Sequence, residues 1–436
     1  MVKKVNLITA IAAILLAGTL EAQNKHYISV AEAIDIAVRD NSQIKMAELE
    51  QKTANARYRQ TDAIFLPSVD LGYTALSTNN PLNAFGFLLQ QQTVTAMDFD
   101  PSKLNNPGAV QDYSAKVDAK LPLLNMDMIY SRRGAKAQEE MYKHKTQRTK
   151  EYIEFEVKKA YTQLQFSYMA KNILSNSLND VKLIYESVNN FYYQGLIQKS
   201  DLLNAQVQVN TIESALSKAE SSIQNASDGL ALLMGTEVES TIYISDTLSE
   251  TERNFTTNEI LTNRADIRAM EKAIDATDMM VKSSKMAYLP RINAFGTYQL
   301  NDSKPFGFHA DSYLIGINLT WNIFSGNQNR SKIKTYQYQR DRLREEQKFQ
   351  IKQSKLEIEK TNREINDLQI EINKHTISVE QSEEALRIQS NRHKEGLVST
   401  TDLLMSQAQL SQQKLLQAQA VMTYNIALAY LIFLSK

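Results

Sequence analysis

The chain has 436 residues, and its 49 basic and 49 acidic side chains give a formal net charge of zero. This balance gives no indication of a nucleic-acid partner. Cysteine is absent, which excludes disulfides, thiol nucleophiles, cysteine-held metals and a lipid attached to an N-terminal cysteine.

Residues 1–22 have the pattern of a secretory signal peptide. Lys3 and Lys4 give a basic start, residues 8–17 form an apolar core, and residues 20–22 offer a cleavage site. The alternative is an N-terminal membrane anchor, but this core is shorter than the roughly 20 residues that a spanning helix needs. We therefore expect export of the chain.

No later stretch is predicted to cross a membrane as a helix. The best candidate, residues 426–434, is too short by half. An exported chain without a spanning helix is expected in the periplasm, outside the cell, or in the outer membrane as a β-barrel.

The positions of proline and glycine predict a first structural repeat over residues 23–235. Proline disrupts helix interiors, and the prolines of this half lie between Pro67 and Pro122. A run without proline or glycine, residues 135–194, is long enough for most of a helix on the order of 100 Å. The predicted elements are a helix at 30–64, strands at about 66–76 and 113–124, a long helix at 126–194, a tip at 195–199 and a helix at 200–234.

A second repeat is predicted at 257–436, after an equatorial linker at 236–256. The sequence Gly-Leu-Ile-Gln-Lys-Ser-Asp-Leu-Leu at 195–203 returns as Gly-Leu-Val-Ser-Thr-Thr-Asp-Leu-Leu at 396–404, which indicates internal duplication. The first copy has a longer polar stretch between its strands, at 77–111. The predicted elements are a helix at 257–288, strands at about 289–300 and 312–324, a long helix at 326–395, a tip at 396–399 and a helix at 400–435.

The four predicted strands alternate apolar and polar residues, so each has one apolar and one wet face. A soluble β-sandwich hairpin would show the same alternation. The row Lys116, Asp118 and Lys120, and the aromatic residues Tyr73 and Trp321 on apolar faces, favour a membrane sheet. Four strands cannot close a membrane barrel, and an open edge in lipid is costly. Copies of the chain must therefore associate, with eight strands from two copies or twelve from three.

The long runs also carry a coiled-coil seam, clearest between Ile153 and Tyr192. Elsewhere the helices are rich in Gln, Ser, Asn and Ala, which indicates a second face in contact with water. This pattern suits helices that wall a water-filled space. The fold class is therefore mainly α with membrane β: duplicated long-helix hairpins and four strands per protomer.

The duplicated units, the paired Leu-Pro strand starts and the two tip sequences resemble the TolC-type outer-membrane efflux channel family over essentially the whole mature chain. The resemblance implies a homotrimer with a twelve-stranded barrel in outer-membrane lipid, continued by a helical barrel into the periplasm. It also implies docking to a periplasmic adaptor and an inner-membrane pump. The expected function is the exit duct of a tripartite efflux or type I secretion system, passing drugs, ions or polypeptides.

The tip sequences are the candidate functional region. Gly195 and Gly396 suit helix ends that need a left-handed residue, and the resemblance makes them, with Leu196 and Leu397, candidate adaptor contacts. For each residue taken singly, a role in making the turn alone is an equal alternative.

Asp201 and Asp402 match the family's acidic position beyond the tip, and the resemblance implies that three copies of Asp402 form a cation-attracting ring at the periplasmic entrance. The alternative for both is ordinary helix-start chemistry, since Ser399 and Asp402 resemble a capping box. For Asp201 this alternative is favoured.

Other gate positions of the family differ in this chain. The second ring acid corresponds to Met405, the gate arginine to Val398, and the gate tyrosine to His393, whereas Tyr192 keeps a tyrosine in the first copy. We expect the ring to carry less charge than in the family's type member. The salt bridge that holds the entrance closed there is not expected from these residues.

No catalytic constellation, metal motif or phosphate loop is present in the sequence, so neither an enzyme nor a cofactor is predicted. The rival to a duct is a soluble periplasmic or secreted coiled-coil scaffold, which would share the helical pattern but would not need detergent.

Overall fold

The computed structural model describes residues 24–237, 241–253 and 263–436. The predicted signal peptide and the predicted start of a helix at Thr257 lie outside these residues. The helices are α1 Val30–Asp40, α2 Ser42–Gln60, α3 Pro81–Gln90, α4 Pro101–Asn105, α5 Met126–Tyr193, α6 Lys199–Met234, α7 Ala265–Met286, α8 Gln328–Lys394 and α9 Thr400–Ser435. The strands are β1 Asn24–Tyr27, β2 Ser68–Thr78, β3 Val110–Leu124, β4 Thr241–Ile244, β5 Arg291–Asp302 and β6 Ala310–Thr320.

The chain divides into two compact units, and the long helices α5 and α8 each contribute to both. One unit, residues 49–144 and 268–348, contains the four-stranded sheet. The other contains the described parts of 1–48, 145–267 and 349–436, and holds the helical hairpins and their tips.

The sheet unit has one antiparallel sheet in the order β2-β3-β5-β6. Ser114 of β3 lies opposite Thr74 of β2 and Asn301 of β5, and Val117 lies opposite Leu71 and Tyr298. Polar residues therefore share one face of the sheet and apolar residues the other, as the alternation predicts.

The strand bounds differ from the prediction by two residues or fewer except at two places. β3 begins at Val110, three residues before the predicted start, because it stays paired with β2 through Thr78. β6 ends at Thr320 rather than 324, where its pairing with Arg291 ends. The apolar residues that follow, Trp321, Ile323 and Phe324, lie outside the ladder and are exposed.

The stretch 77–111 is not the plain polar loop that the sequence suggested. It contains α3, a 3₁₀ turn at Ala96–Phe99 and α4. Asn80 caps α3 by accepting a hydrogen bond from the Asn83 amide, and Pro81 occupies the first turn. The counterpart between β5 and β6, residues 303–309, has no helix.

The predicted helix 30–64 is interrupted at Asn41. The Asn41 side-chain amide donates to the Leu233 carbonyl (2.7 Å), and its oxygen accepts from the amides of Gln43 and Ile44. Asn41 thus caps α2 and fixes the end of α1 against the end of α6. Gly235 completes this contact: its φ is +71°, and a Cβ there would lie 2.5 Å from the Asp40 carbonyl oxygen.

The predicted linker 236–256 contains a strand. β4 pairs in parallel with β1, placing Tyr243 opposite His26. Tyr243 is buried in an apolar cluster with Ile28, Leu230 and Leu164. Strand pairing over more than 200 residues of sequence is not visible in a local pattern, so this sheet was missed.

Helix α9 has the predicted bounds, but a longer part of it is apolar than the stretch 426–434 that the sequence analysis singled out. It contains a window apolar enough to cross a membrane by length and composition, so the prediction that no later stretch would qualify was wrong. In the helical unit its apolar side chains instead pack against α8, with Leu428 and Leu431 buried beside Ile365 and Ile372. This is the composition of a core helix in a long hairpin.

Candidate functional site: the hairpin tips

The two tips have the same turn. Gly195 has φ +74° and its amide donates to the Tyr192 carbonyl at 2.9 Å, while Gly396 has φ +69° and donates to the His393 carbonyl at 3.0 Å. The amide of the following leucine reaches back to the fifth residue before it in both copies. This is a helix C-terminus closed by a left-handed glycine, as the sequence predicts.

Leu196 and Leu397 follow these glycines and extend into solvent, with 66% and 67% of their surface exposed. Neither side chain covers its own turn. Each tip therefore presents an exposed leucine at equivalent positions of the two repeats.

Both acidic residues beyond the tips act at helix starts. The Asp201 carboxylate accepts a hydrogen bond from the Gln198 amide at 3.2 Å. The Asp402 amide donates to the Ser399 hydroxyl (3.1 Å), and that hydroxyl donates to the Asp402 carboxylate (2.7 Å). The helix-start role thus has a geometric basis at both positions.

Asp402 and Met405 lie on the exposed side of the first turns of α9. Their spacing of three residues places them on one helix face, and both are exposed, whereas Leu403 and Leu404 between them are buried. The structure therefore places the predicted ring acid, Asp402, and Met405, at the position predicted for a second ring acid, on one surface.

His393 does not share that surface. It is 7% exposed, its Nε2 lies 3.3 Å from the Thr400 hydroxyl, and its ring centroid is 6.0 Å from that of Phe191. Burial lowers the pKa of His393 below its usual value. The His393 ring lies in the contact between the two hairpins.

Tyr192 is half-buried beside the ring of Tyr193, at 5.9 Å between centroids. The neighbouring residue, Phe191, is the one whose ring contacts His393 of the second hairpin.

A buried contact that sequence reasoning missed joins the two hairpins. Gln407 of α9 is 2% exposed, and its side-chain amide donates to the Asp180 carboxylate of α5 at 3.0 Å. Leu404 packs with residues of α5 and α6, and together these form the tip cluster: Leu178, Val181, Val188, Ala205, Val209, Ile212 and Leu404. The coiled-coil pattern marks the apolar side chains of each helix, but it does not say which hairpin they meet.

Among residues 24–237, 241–253 and 263–436, no group of three or more His, Asp or Glu side chains could hold a metal ion. The tips offer an exposed apolar residue, an exposed carboxylate and a packed contact between hairpins.

Solved structures with the same architecture support this interpretation of the fold. A membrane protein from Pseudomonas aeruginosa matches with a TM-score of 0.81 at 18% identity, over 93% of this chain and 92% of that one. The outer membrane protein VceC of Vibrio cholerae matches at 0.77 and 18%, over 92% and 95%. The Campylobacter jejuni CmeC outer membrane channel matches at 0.77 and 16%, over 93% and 85%. No curated protein matches the chain.

At such low identity these likenesses show the fold alone, but a family model matches the sequence itself. The model for outer membrane efflux proteins aligns with residues 33–236 and 256–435, which are most of the chain. This match favours the duct over the soluble coiled-coil scaffold. With its duplicated hairpins and two-faced sheet, the chain belongs to the outer membrane efflux protein family, and it is an efflux protein of the outer membrane.

Proposed function

We propose that three copies of this chain form a passive exit duct, with the sheets closed into a twelve-stranded barrel and the tips at a periplasmic entrance. The two-faced sheet with two open edges carries this proposal. Because β2 and β6 end the strand order, each leaves one row of backbone groups without a partner in the described sheet. Such an edge in lipid costs several kcal/mol for each unpaired group.

The apolar face supports placement of the sheet in lipid. Ile315 and Ile317 of β6 are 76% and 71% exposed in the single chain. So many exposed apolar side chains on one face would be unfavourable in water. Aromatic side chains flank the strand: Tyr313 lies near one end and Trp321 beyond the other. Their spacing of eight residues corresponds to about 27 Å along the strand, or about 21 Å along the axis of a barrel with strands tilted by about 40°, which approaches the height of about 25 Å of the apolar band of a membrane barrel.

The helical unit would supply the wall of the duct and its entrance. No energy source is needed in this chain if a periplasmic adaptor and an inner-membrane pump drive transport. The exposed Leu196 and Leu397 are suited to an apolar adaptor contact, together with the turns at Gly195 and Gly396. The cargo would be small molecules, such as drugs or ions, or polypeptides.

The oligomeric state of the chain in detergent tests whether the sheets of three copies close into one barrel. We expect the mature chain to fractionate with membranes, to require detergent and to run as a trimer. A stable, water-soluble monomer would contradict the proposal, since the apolar face would then have no lipid and no neighbouring sheet to cover it.

The entrance ring is tested by Asp402→Ala in planar bilayer recordings. We expect reduced cation preference and weaker block by added cations, because three exposed carboxylates around one axis would attract cations.

Ser399→Ala is the matched control for that test, since it removes the hydroxyl partner of the cap and keeps the acid. If both variants keep the native selectivity and block, Asp402 serves as a helix cap only.

A further inference from the structure

The segment between β2 and β3, residues 79–109, folds onto one particular face of the sheet. At the loop end of the strands, Asp112 and Asn301 on the polar face are 2% and 1% exposed. Farther along the same face, Lys116 and Lys120 are exposed. The segment therefore covers the polar face only at the end of the strands.

Gln91, at the C-terminal end of α3, holds this segment in place. It is 1% exposed, and its side-chain amide donates to the Gln111 carbonyl (2.7 Å), the Asp112 carboxylate (3.0 Å) and the Asp302 carbonyl (3.4 Å). Asn301 donates to the same carboxylate at 3.1 Å. One amide group thus links the segment to both β3 and β5.

The next residue strengthens the anchor. Gln92 has φ +56°, a left-handed conformation that costs a non-glycine residue roughly 1–2 kcal/mol. Its side-chain amide donates to the Asp311 carbonyl at the start of β6, at 3.4 Å. The turn therefore directs two successive glutamines towards the sheet.

A twelve-stranded barrel is narrow enough that a segment on its inner wall would restrict the opening. Twelve strands about 4.8 Å apart and tilted by about 40° give a barrel about 24 Å across between opposite backbones. A helix with its side chains is about 10 Å wide. Three segments on the inner wall would therefore take up much of the opening.

We propose that residues 79–109 form a size-limiting collar at the outer mouth of the duct, held on the inner wall by Gln91. This inference rests on the proposed function, because it takes the polar face of the sheet to line the duct. The collar is a specificity element for cargo, separate from the periplasmic entrance.

The chemistry of the collar indicates selection by size rather than charge. Its carboxylates are engaged locally: Asp98 accepts from the Thr95 amide and hydroxyl, and Asp100 accepts from the Ser102 amide and hydroxyl. Its exposed large apolar side chains are Leu82, Leu89, Met97 and Phe99, and they outnumber its single basic residue, the exposed Lys103. An apolar collar would pass compact amphipathic molecules and hinder large hydrated ones.

Thiol labelling tests the collar, because the native chain has no cysteine. Lys116→Cys places a thiol on the polar face just beyond the covered Ser114, and Val117→Cys places one on the apolar face. Maleimide-polyethylene glycols of increasing mass are added outside intact cells, and modification is measured by gel shift.

We expect Lys116→Cys to react with small polymers and to lose reaction with larger ones. Replacing residues 79–109 by the chain's own short connection, 303–309, should restore reaction with larger polymers. Gln91→Glu, which replaces the donor by a carboxylate beside Asp112, should do the same, whereas Gln90→Glu at the exposed neighbouring position should behave as native.

The collar is overturned if native and loop-replaced chains admit polymers of the same size. If the replaced chain does not reach the membrane, the collar is overturned when Gln91→Glu and Gln90→Glu admit polymers of the same size. Failure of the proposed function gives a different result. Val117→Cys would then react as readily as Lys116→Cys, since the apolar face would not lie in lipid.

Discussion

Gly195 and Gly396 illustrate how single residues set the geometry of the tips. Both have left-handed φ angles, and a Cβ added at either would meet no atom within 4 Å. The requirement for glycine is therefore a backbone requirement and not a matter of space. A helix of 68 residues and one of 67 residues are both ended by one glycine in the left-handed conformation.

Gly396→Ala should lower the free energy of unfolding of the tip by about 1 kcal/mol, because only the strained φ opposes the added methyl group. Gly229→Ala is the matched control: it lies inside α6 without a positive φ and also in open space. There alanine should stabilise the helix by roughly 0.5–1 kcal/mol. Hydrogen exchange of the tip amides would measure the difference, and equal effects of the two substitutions would contradict this explanation.

At the scale of the element, the C-terminal end of α9 depends on side chains from other segments of the helical unit. Arg148 donates to the Phe433 carbonyl at 3.0 Å, and Arg264, which is 2% exposed, donates to the Leu434 carbonyl at 3.2 Å. These cations satisfy carbonyls that a helix end leaves without partners. Burial, followed by a hydrogen bond to Glu357, raises the pKa of Tyr430 in the last turns of α9 to about 12.

Arg148→Ala should destabilise the helical unit by about 3 kcal/mol, because it leaves the Glu151 carboxylate, 8% exposed, without its charged partner. The guanidinium also lies 3.7 Å from the centre of the Phe433 ring, and this contact is lost as well. Thermal unfolding in detergent measures the change.

Arg387→Ala serves as the control for this substitution. Its pair with Glu384 is exposed, and we expect a change within about 0.5 kcal/mol. A comparable loss in both variants would mean that burial of the Arg148 pair does not decide its contribution.

At the scale of the whole molecule, the sheet is the element that a single chain leaves incomplete. Its apolar face exposes Leu71, Ile315 and Ile317, and its two edges end at β2 and β6. Closure with other copies and insertion into lipid would satisfy both features at once.

Ile317→Lys should prevent stable insertion and trimer formation, since a lysine on the lipid face near the membrane midplane costs about 2–4 kcal/mol per copy. Asn318→Lys, one residue along on the opposite face, should be tolerated because that face is polar. Membrane fractionation and migration as an oligomer would report the outcome. Equal tolerance of both lysines would argue against a membrane role for this sheet.

The sequence by itself determined the features that depend on local patterns. Proline positions and period-two alternation predicted the four strands, and the runs ending at Gly195 and Gly396 predicted α5 and α8 to within one or two residues at each end. These features are local because helix interiors reject proline and strand faces alternate with a period of two. The duplicated tip sequences indicated the family because a repeated short sequence can be recognised without knowing the tertiary structure.

Only the tertiary structure decided the pairings between distant segments. The parallel pair of β1 and β4, the bond from Gln407 to Asp180 and the anchoring of Gln91 on β3 and β5 join residues far apart in sequence. The burial of His393 follows from packing of one hairpin on the other. A polar side chain at such a site has no periodic signature, because its partner is set by how the elements pack and not by its neighbours in the chain.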